Sequence, residues 1–314
     1  MPSNSSVASV NLIQKLQEGL SLFRLRWSIG ASLEGTQRTL RNLDDYRSTY
    51  ERLTGQPFAD ARALEIGFGG QPIRLIALMS MGVNVRGIDL DMPMLSFSPM
   101  RLLQIAKKNG PERALKTAVR NILFDRRDRA KLKSALRQRG CKFKIDPTRF
   151  LIGDAATYNY GPEPVDFIYS NDVFEHIPRN GLEQLIERLS SLMSPHGLAL
   201  ITPSVYTGIT GGHLTEWYGN LVPQDIPRKT EPWEHLRKKR YRANTYLNCL
   251  SRSDYREFFS RHFEILDEKV MDPTLGRQWL TPEVRAELSD WSEDELFSNR
   301  VEFALRPIPR RTQQ

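Results

Sequence analysis

Residues 62–71, RALEIGFGGQ, set an acid and a close group of glycines where a short apolar stretch stops. Only glycine lets a backbone turn this tightly and approach a ligand this closely. An apolar run at 73–81 follows at once with the composition of a buried helix. The N-terminus of such a helix aims free N–H groups at whatever the turn holds. About 20 residues on, VRGIDLD at 85–91 reads as a second strand ending in Asp89. In a strand–helix–strand unit an acid at that place can accept hydrogen bonds from ribose hydroxyls. The chemistry implied is the binding of a nucleoside-containing cofactor.

The dinucleotide fingerprint needs a glycine five positions after the first. Gly67 and Gly69 fit, but that position is Pro72. Proline starts a helix well, yet it gives up the close strand–helix contact of the last glycine. Glu65, two residues before Gly67, is a different signal. A carboxylate at the strand end would repel a pyrophosphate and pair with a cationic amino-acid group. Three further stretches follow in order: FLIGDA at 150–155, VDFIYSNDVFEHIP at 165–178 and LMSPHGLALITP at 192–203.

The pattern Glu65-x-Gly67-x-Gly69 resembles motif I of the class I S-adenosylmethionine (SAM) methyltransferases, and the three later stretches resemble the motifs that follow it in that family. One departure is Gln71, where many members carry a third glycine. The resemblance implies a Rossmann-like seven-stranded α/β sheet with its last strand antiparallel, and SAM as the cofactor. It implies that Glu65, Gly67, Phe68 and Gly69 cradle the methionine part, and that Asp89 holds the ribose with Leu90 packed on the adenine. Asp154 and Ala155 would lie beside the adenine and Asn171 along the cofactor edge.

SAM supplies an electrophilic methyl, so an alcohol acceptor also needs a base or a metal to take its proton. The fourth motif lacks the Asn/Asp-Pro-Pro-aromatic run of exocyclic-amine methylases, which weighs against nucleic acid as acceptor. It carries Asp172, Glu175 and His176, an arrangement similar to that of the ubiquinone-biosynthesis O-methyltransferases. These residues are candidates to orient the acceptor or act as base. They could also hold a divalent metal, though none is expected. His213, in TGGHLTEW at 210–217, is the second candidate base, and Trp217 could stack on an acceptor ring. The function expected is methyl transfer to a small-molecule or glycan acceptor, most readily at oxygen. The alternatives are a lipid or quinone methyltransferase at a membrane surface, or a non-catalytic SAM-binding partner protein; an RNA methyltransferase ranks third.

The elements that must position these groups read as follows. Residues 1–10 are polar and small and expected to be disordered. Amphipathic helices at 12–53 form an N-terminal cap, 1–58, before the SAM-binding domain, 59–314. Residues 98–147 read as a helical insertion and 203–250 as an acceptor-site loop region. Later elements are helices at 181–193, 252–262 and 282–297, and strands at 167–170, 197–202, 263–270 and 300–305. The net charge of +8 is uneven. Residues 101–150 hold 16 Lys and Arg against 4 Asp and Glu, a balance of +12, so all other residues sum to −4. That segment fits an anionic acceptor or peripheral membrane contact better than RNA, because aromatic residues for base stacking are sparse. With 314 residues and 39% apolar composition, a full core can be buried. No apolar run is long enough to span a bilayer. Two cysteines and no visible secretory signal lead to the expectation of a reduced, cytoplasmic setting.

Overall fold

The computed structural model describes residues 34–96, 98–219, 227–237 and 245–309. The expectations for residues 1–33, including the first helices of the cap, lie outside the described residues, as do parts of the 203–250 region. A 7-stranded sheet forms the centre, in the order β3-β2-β1-β4-β5-β7-β6. Its strands are β1 (Arg62–Ile66), β2 (Asn84–Asp89), β3 (Phe150–Ile152), β4 (Val165–Asn171), β5 (Met193–Thr202), β6 (Phe263–Val270) and β7 (Val301–Pro307). The first five run parallel, and β7 is antiparallel to both neighbours. This is the Rossmann-like class I methyltransferase sheet that the motif order implies.

Strands β1 and β4 are buried nearly throughout because helices cover both of their faces. Strand β6, at the edge, alternates between covered and open positions. Helix α1 (Glu34–Thr54) buries Leu40, Leu43, Tyr46 and Tyr50, a spacing of three to four residues that makes one stripe. That stripe meets β4 through rings: Phe167 lies 6.0 Å from Tyr46, 5.6 Å from Tyr50 and 5.2 Å from Phe58. Helix α2 (Ile73–Ser80) is apolar almost all round and buried.

The connection from β2 to β3 holds three helices, α3 (Pro99–Asn109), α4 (Pro111–Arg120) and α5 (Arg126–Gln138), with a π turn at Asn121–Asp125. Leu132, Ala135 and Leu136 of α5 join α1 and α2 in one core cluster. Helix α5 therefore belongs to the sheet's own helix layer, and α3 and α4 stand outside it. The opposite layer is α6 (Arg179–Leu192) with α8 (Arg252–Ser260); the short α7 (Glu234–Arg237) lies between them in the chain. The acidic segment after β6 forms two short helices, α9 (Pro282–Glu287) and α10 (Glu293–Leu296), where one is expected.

A third cluster, Ile209, Trp217, Trp233, Val284, Leu288, Leu296 and Phe297, joins the chain after β5 to the chain after β6. The two segments form a roof beside the C-terminal ends of the strands. No helix among the described residues is long and apolar enough to cross a membrane.

Phe167 is fully buried where α1, β4 and the turn at Phe58–Asp60 meet. Phe167→Ala should cost about 3–5 kcal/mol of stability, measured as a lowered urea midpoint with unchanged slope.

Candidate functional site

The site begins where β1 and β4 end. Gly67 and Gly69 both take positive φ, 76° and 63°, which glycine alone adopts without strain. A Cβ on Gly67 would lie 2.3 Å from Val173, so the glycine turn packs directly against the loop after β4. A Cβ on Gly69 would meet nothing within 4 Å, so that side of the turn is open. Asp89 braces the turn: its Oδ2 accepts from the Gly69 N–H at 2.7 Å and its Oδ1 from the Asp91 N–H at 2.8 Å. Leu90 beside it is 65% exposed, an apolar side chain at a strand end with room for a flat ring. Phe68 turns inward onto Phe150, 5.6 Å between ring centres, and so supports the turn from below. Asp154 is exposed and accepts from the Ala156 N–H at 2.8 Å, which shapes the turn after β3 around Ala155.

Glu65 is only 4% exposed. Its Oε2 accepts from the Tyr169 hydroxyl at 3.1 Å. Burial pushes the carboxyl up to about 7, against the opposing pull of the Arg74 guanidinium and the Tyr169 hydroxyl. The residue lies under the glycine turn as a support. Asn171 exchanges hydrogen bonds with Tyr46 of α1, at 2.7 and 3.0 Å. Burial pushes the Tyr46 hydroxyl up to about 12.

Beyond Val173 the chain enters a second compartment, a cavity of about 740 Å³. Its walls include Arg38, Asp172, His176, His213, Tyr218 and Arg300. Asp172 has φ 55°, an uncommon value for a residue with a side chain. That conformation turns its carboxylate toward the Arg300 guanidinium, 3.0 Å away, with the Ser204 hydroxyl donating at 3.3 Å. Glu175 points the other way and is 3% exposed. No hydrogen bond of good geometry reaches either of its oxygens. Burial, then the charge of Asp172, pushes its carboxyl up to about 8.

His176 and His213 lie over Glu175, each with Nε2 4.0 Å from its Oε1. Their rings meet edge to face at 5.0 Å. The Nδ1 of His176 is 3.0 Å from the Tyr246 carbonyl. A carbonyl can only accept, so Nδ1 carries the proton and Nε2 keeps its lone pair in the neutral ring. His213 is held at φ 54° by a turn with no room for side chains. A Cβ on Gly211 would lie 2.1 Å from the Tyr206 oxygen, and one on Gly212 would lie 2.8 Å from the His235 ring. Burial, then His176, pushes the His213 imidazole down to about 4.

The structure thus brings Glu175, His176 and His213 together, where the sequence grouped Asp172 with Glu175 and His176. Trp217 is not an acceptor platform: it is 3% exposed, donates to the Thr230 hydroxyl at 2.9 Å and packs 5.4 Å from Trp279. Arg38, Tyr218 and Arg300 escaped sequence reasoning because they lie outside every motif, on the first helix, in the loop after β5 and just before β7. His235 is buried with its Nε2 2.8 Å from the Tyr206 carbonyl, a structural contact.

No protein-family model and no curated protein matches the chain. Among solved structures it is similar to the CcbJ methyltransferase from Streptomyces caelestis, at 11% identity over 84% of this chain and 90% of that one, with a TM-score of 0.43. It is also similar to a SAM-dependent methyltransferase from Clostridium acetobutylicum ATCC 824, at 11% identity over 83% and 89% of the two chains, with a TM-score of 0.41. A TehB-like SAM-dependent methyltransferase from Corynebacterium glutamicum ATCC 13032 shares 13% identity over 88% of this chain and 100% of that one, with a TM-score of 0.37. At these identities and scores the likeness assigns no activity to this chain.

The state of Glu65 sets a pH dependence. Its carboxyl stays protonated in the fold up to about pH 7 but ionises near 4.5 when unfolded. Between those values the unfolded chain binds fewer protons, so stability falls as pH rises through the window. Relative to Glu65→Gln, the native chain should lose about 1–3 kcal/mol between pH 5 and pH 8, read from urea unfolding at the two values.

Proposed function

We propose that this chain is a SAM-dependent methyltransferase that acts on a small polar or glycan acceptor, with transfer to oxygen. The observation that carries the reading is the join at Val173. On one side of that residue lies the glycine turn with Asp89 and Leu90 at its rim; on the other lies a cavity lined by the His176 and His213 imidazoles, with the Glu175 carboxyl buried beneath them. A donor group and an acceptor placed on either side would meet at the ends of β1 and β4.

The residues present fit SAM. The side of Gly69 that a Cβ would occupy is open, and the exposed Leu90 offers an apolar surface beside an acid at the strand end. Gly67, Gly69 and Asp89 would hold the cofactor, Phe68 and Glu65 would support the turn beneath it, and Asp154, Ala155 and Asn171 would border it. SAM supplies the methyl group as an electrophile. What the chain must add is the positioning of a nucleophile and the removal of its proton. His213 is neutral at physiological pH, and its buried Nε2 has no hydrogen-bond partner. It is therefore the group best placed to accept from an acceptor hydroxyl. Arg38 and Arg300 share the cavity lining with Asp172 and Asp272, and Arg300 is paired with Asp172, so the lining carries charges of both signs and suits a polar, hydroxylated acceptor.

Calorimetric titration with SAM and with S-adenosylhomocysteine tests the cofactor half. Micromolar binding is expected, weakened at least about tenfold in Asp89→Ala, the loss of one charge-assisted hydrogen-bonding group. Absence of binding to the folded chain would overturn the reading. With binding in hand, transfer of labelled methyl to hydroxylated acceptors should fall about 100-fold or more in His213→Ala, with SAM affinity unchanged.

A second reading places the enzyme at a lipid surface. Met100 and Leu103 on α3, and Leu115, Val119 and Ile122 at or beyond α4, are all exposed. The last three recur at helical spacing and form one stripe. Residues 99–120 carry six Lys and Arg against Glu112 alone, a charge of +5. A basic helix pair with an open apolar stripe suits an anionic bilayer. The chain should float with phosphatidylserine-containing vesicles and not with phosphatidylcholine alone, and Leu115→Glu with Ile122→Glu should release it. Self-association through the same stripe, or no flotation, would count against this reading.

A further inference from the structure

The cluster of Glu175, His176 and His213 leaves more unsatisfied than a proton shuttle requires. Both Glu175 oxygens and the His213 Nε2 are buried without a hydrogen bond of good geometry, although the Glu175 N–H and the N–H and hydroxyl of Ser204 lie near the carboxyl. An orphaned buried polar atom costs about 1–3 kcal/mol, and more if charged. Three such atoms facing one another therefore call for a common partner. Each residue offers one ligand atom, and these atoms lie within 4.8 Å of one another.

We propose that Glu175, His176 and His213 bind a divalent transition-metal ion on the floor of the cavity. Three observations converge on it. The first is composition: two imidazoles and one carboxylate suit zinc, manganese, iron or cobalt, whereas magnesium and calcium take oxygen ligands. The second is the tautomer of His176. Its Nδ1–H is committed to the Tyr246 carbonyl, which leaves Nε2 to face Glu175. A metal-binding histidine has this arrangement, its second nitrogen fixed by a backbone acceptor.

The third is rigidity. Glu175 and His176 sit on a short 3-10 turn, Phe174–His176, whose backbone is clamped by Asn248. The Asn248 side chain donates to the Phe174 and Ile177 carbonyls at 2.8 and 3.1 Å, and its N–H donates to the Glu175 carbonyl at 2.9 Å. His213 is fixed separately by the Gly211 and Gly212 turn. Two independent restraints hold the donors 4.0 Å from the carboxylate. Around a tetrahedral ion the donors stand roughly 3.3 Å apart, so small rotations of the side chains close the site. Three protein ligands leave a coordination position open toward the cavity, where an oxygen of the acceptor would be polarised. Asp172 takes no part, being turned onto Arg300.

The inference rests on the proposed acceptor site and revises one role in it: a bound ion would occupy the His213 Nε2 lone pair and, in place of a free imidazole base, would acidify the acceptor hydroxyl; its test does not depend on catalysis. The full chain is stripped with EDTA, and Co²⁺, Zn²⁺ and Mn²⁺ are titrated in, with bound metal counted by plasma mass spectrometry and Co²⁺ followed by its visible absorption. One equivalent per chain is expected for at least one of them. Affinity should fall at least about 100-fold in both Glu175→Gln and His213→Asn and less than threefold in Asp172→Asn. SAM titration of the same proteins separates the two claims: metal bound without SAM leaves the site standing and removes the methyltransferase reading. A folded chain that retains no stoichiometric metal at 0.1 mM of any of the three ions, or a Glu175→Gln variant that binds as tightly as the native chain, would overturn the site.

Discussion

The register of β1 against β4 decides where everything else lies. Glu65 pairs with Tyr169 and Ile66 with Ser170. That pairing lets the Tyr169 hydroxyl reach Glu65 and the Ser170 hydroxyl reach the Ile66 carbonyl at 2.9 Å. It also ends the two strands level, so that Gly67 meets Val173 with no space for a methyl group. A shift by one residue would turn every side chain of one strand to the other face. The glycine turn would lose its support and Asp172 to His176 would face the wrong layer. The glycine turn and the acidic cluster thus leave the same end of one hydrogen-bonded ladder.

The same low-dielectric setting treats the two buried carboxyls differently. Both are raised by burial, Glu65 to about 7 and Glu175 to about 8. Glu65 has compensation close by: a tyrosine hydroxyl, the Leu75 N–H and the Arg74 charge. These make it a structural acid that props the turn. Glu175 has the negative charge of Asp172 nearby and two imidazoles at 4.0 Å, outside hydrogen-bond reach, and its compensation comes from its own N–H and from the N–H and hydroxyl of Ser204. A group left in that state is costly to the fold, which directs attention to what would satisfy it.

Local signals in the chain carried the sheet, the glycine turn and the acid at the end of β2, because each is written in contiguous residues. Strand β6 was legible to the residue, Phe263–Val270. The cluster at Glu175 was legible only in part. Glu175 and His176 are neighbours, but His213 arrives from a different loop, and nothing in its local sequence says which carboxylate it will face. Asp172 looked like the natural third member by spacing; its positive φ turns it away. Residues 98–147 read as one basic insertion because Lys and Arg run through all of it. Charge pattern alone does not reveal that Leu132 and Leu136 of α5 are fully buried beside α1 and α2. Trp217 illustrates the converse error. An aromatic in a glycine-rich loop suggests a platform, yet its burial against Trp279 makes it part of the roof's own core.

The roof is built independently of the glycine turn. The glycine turn depends on β1, β2 and β4, and little can change there without loss of the sheet. The cavity beyond Val173 takes its walls from α1, from the loop after β5 and from the segment between β6 and β7. The last two are tied to one another through a separate small core around Trp233, whose indole donates to the Thr207 carbonyl at 3.1 Å. Asn299 adds a polar tie, accepting from the Thr210 N–H and donating to the Leu275 carbonyl at 2.9 Å. The segment bearing Asn299 also presents Arg300 to the cavity, and the segment bearing Thr210 also presents His213. One buried asparagine therefore ties the wall that carries Arg300 to the floor that carries His213, and the spacing of those two groups is set by packing far from the glycine turn.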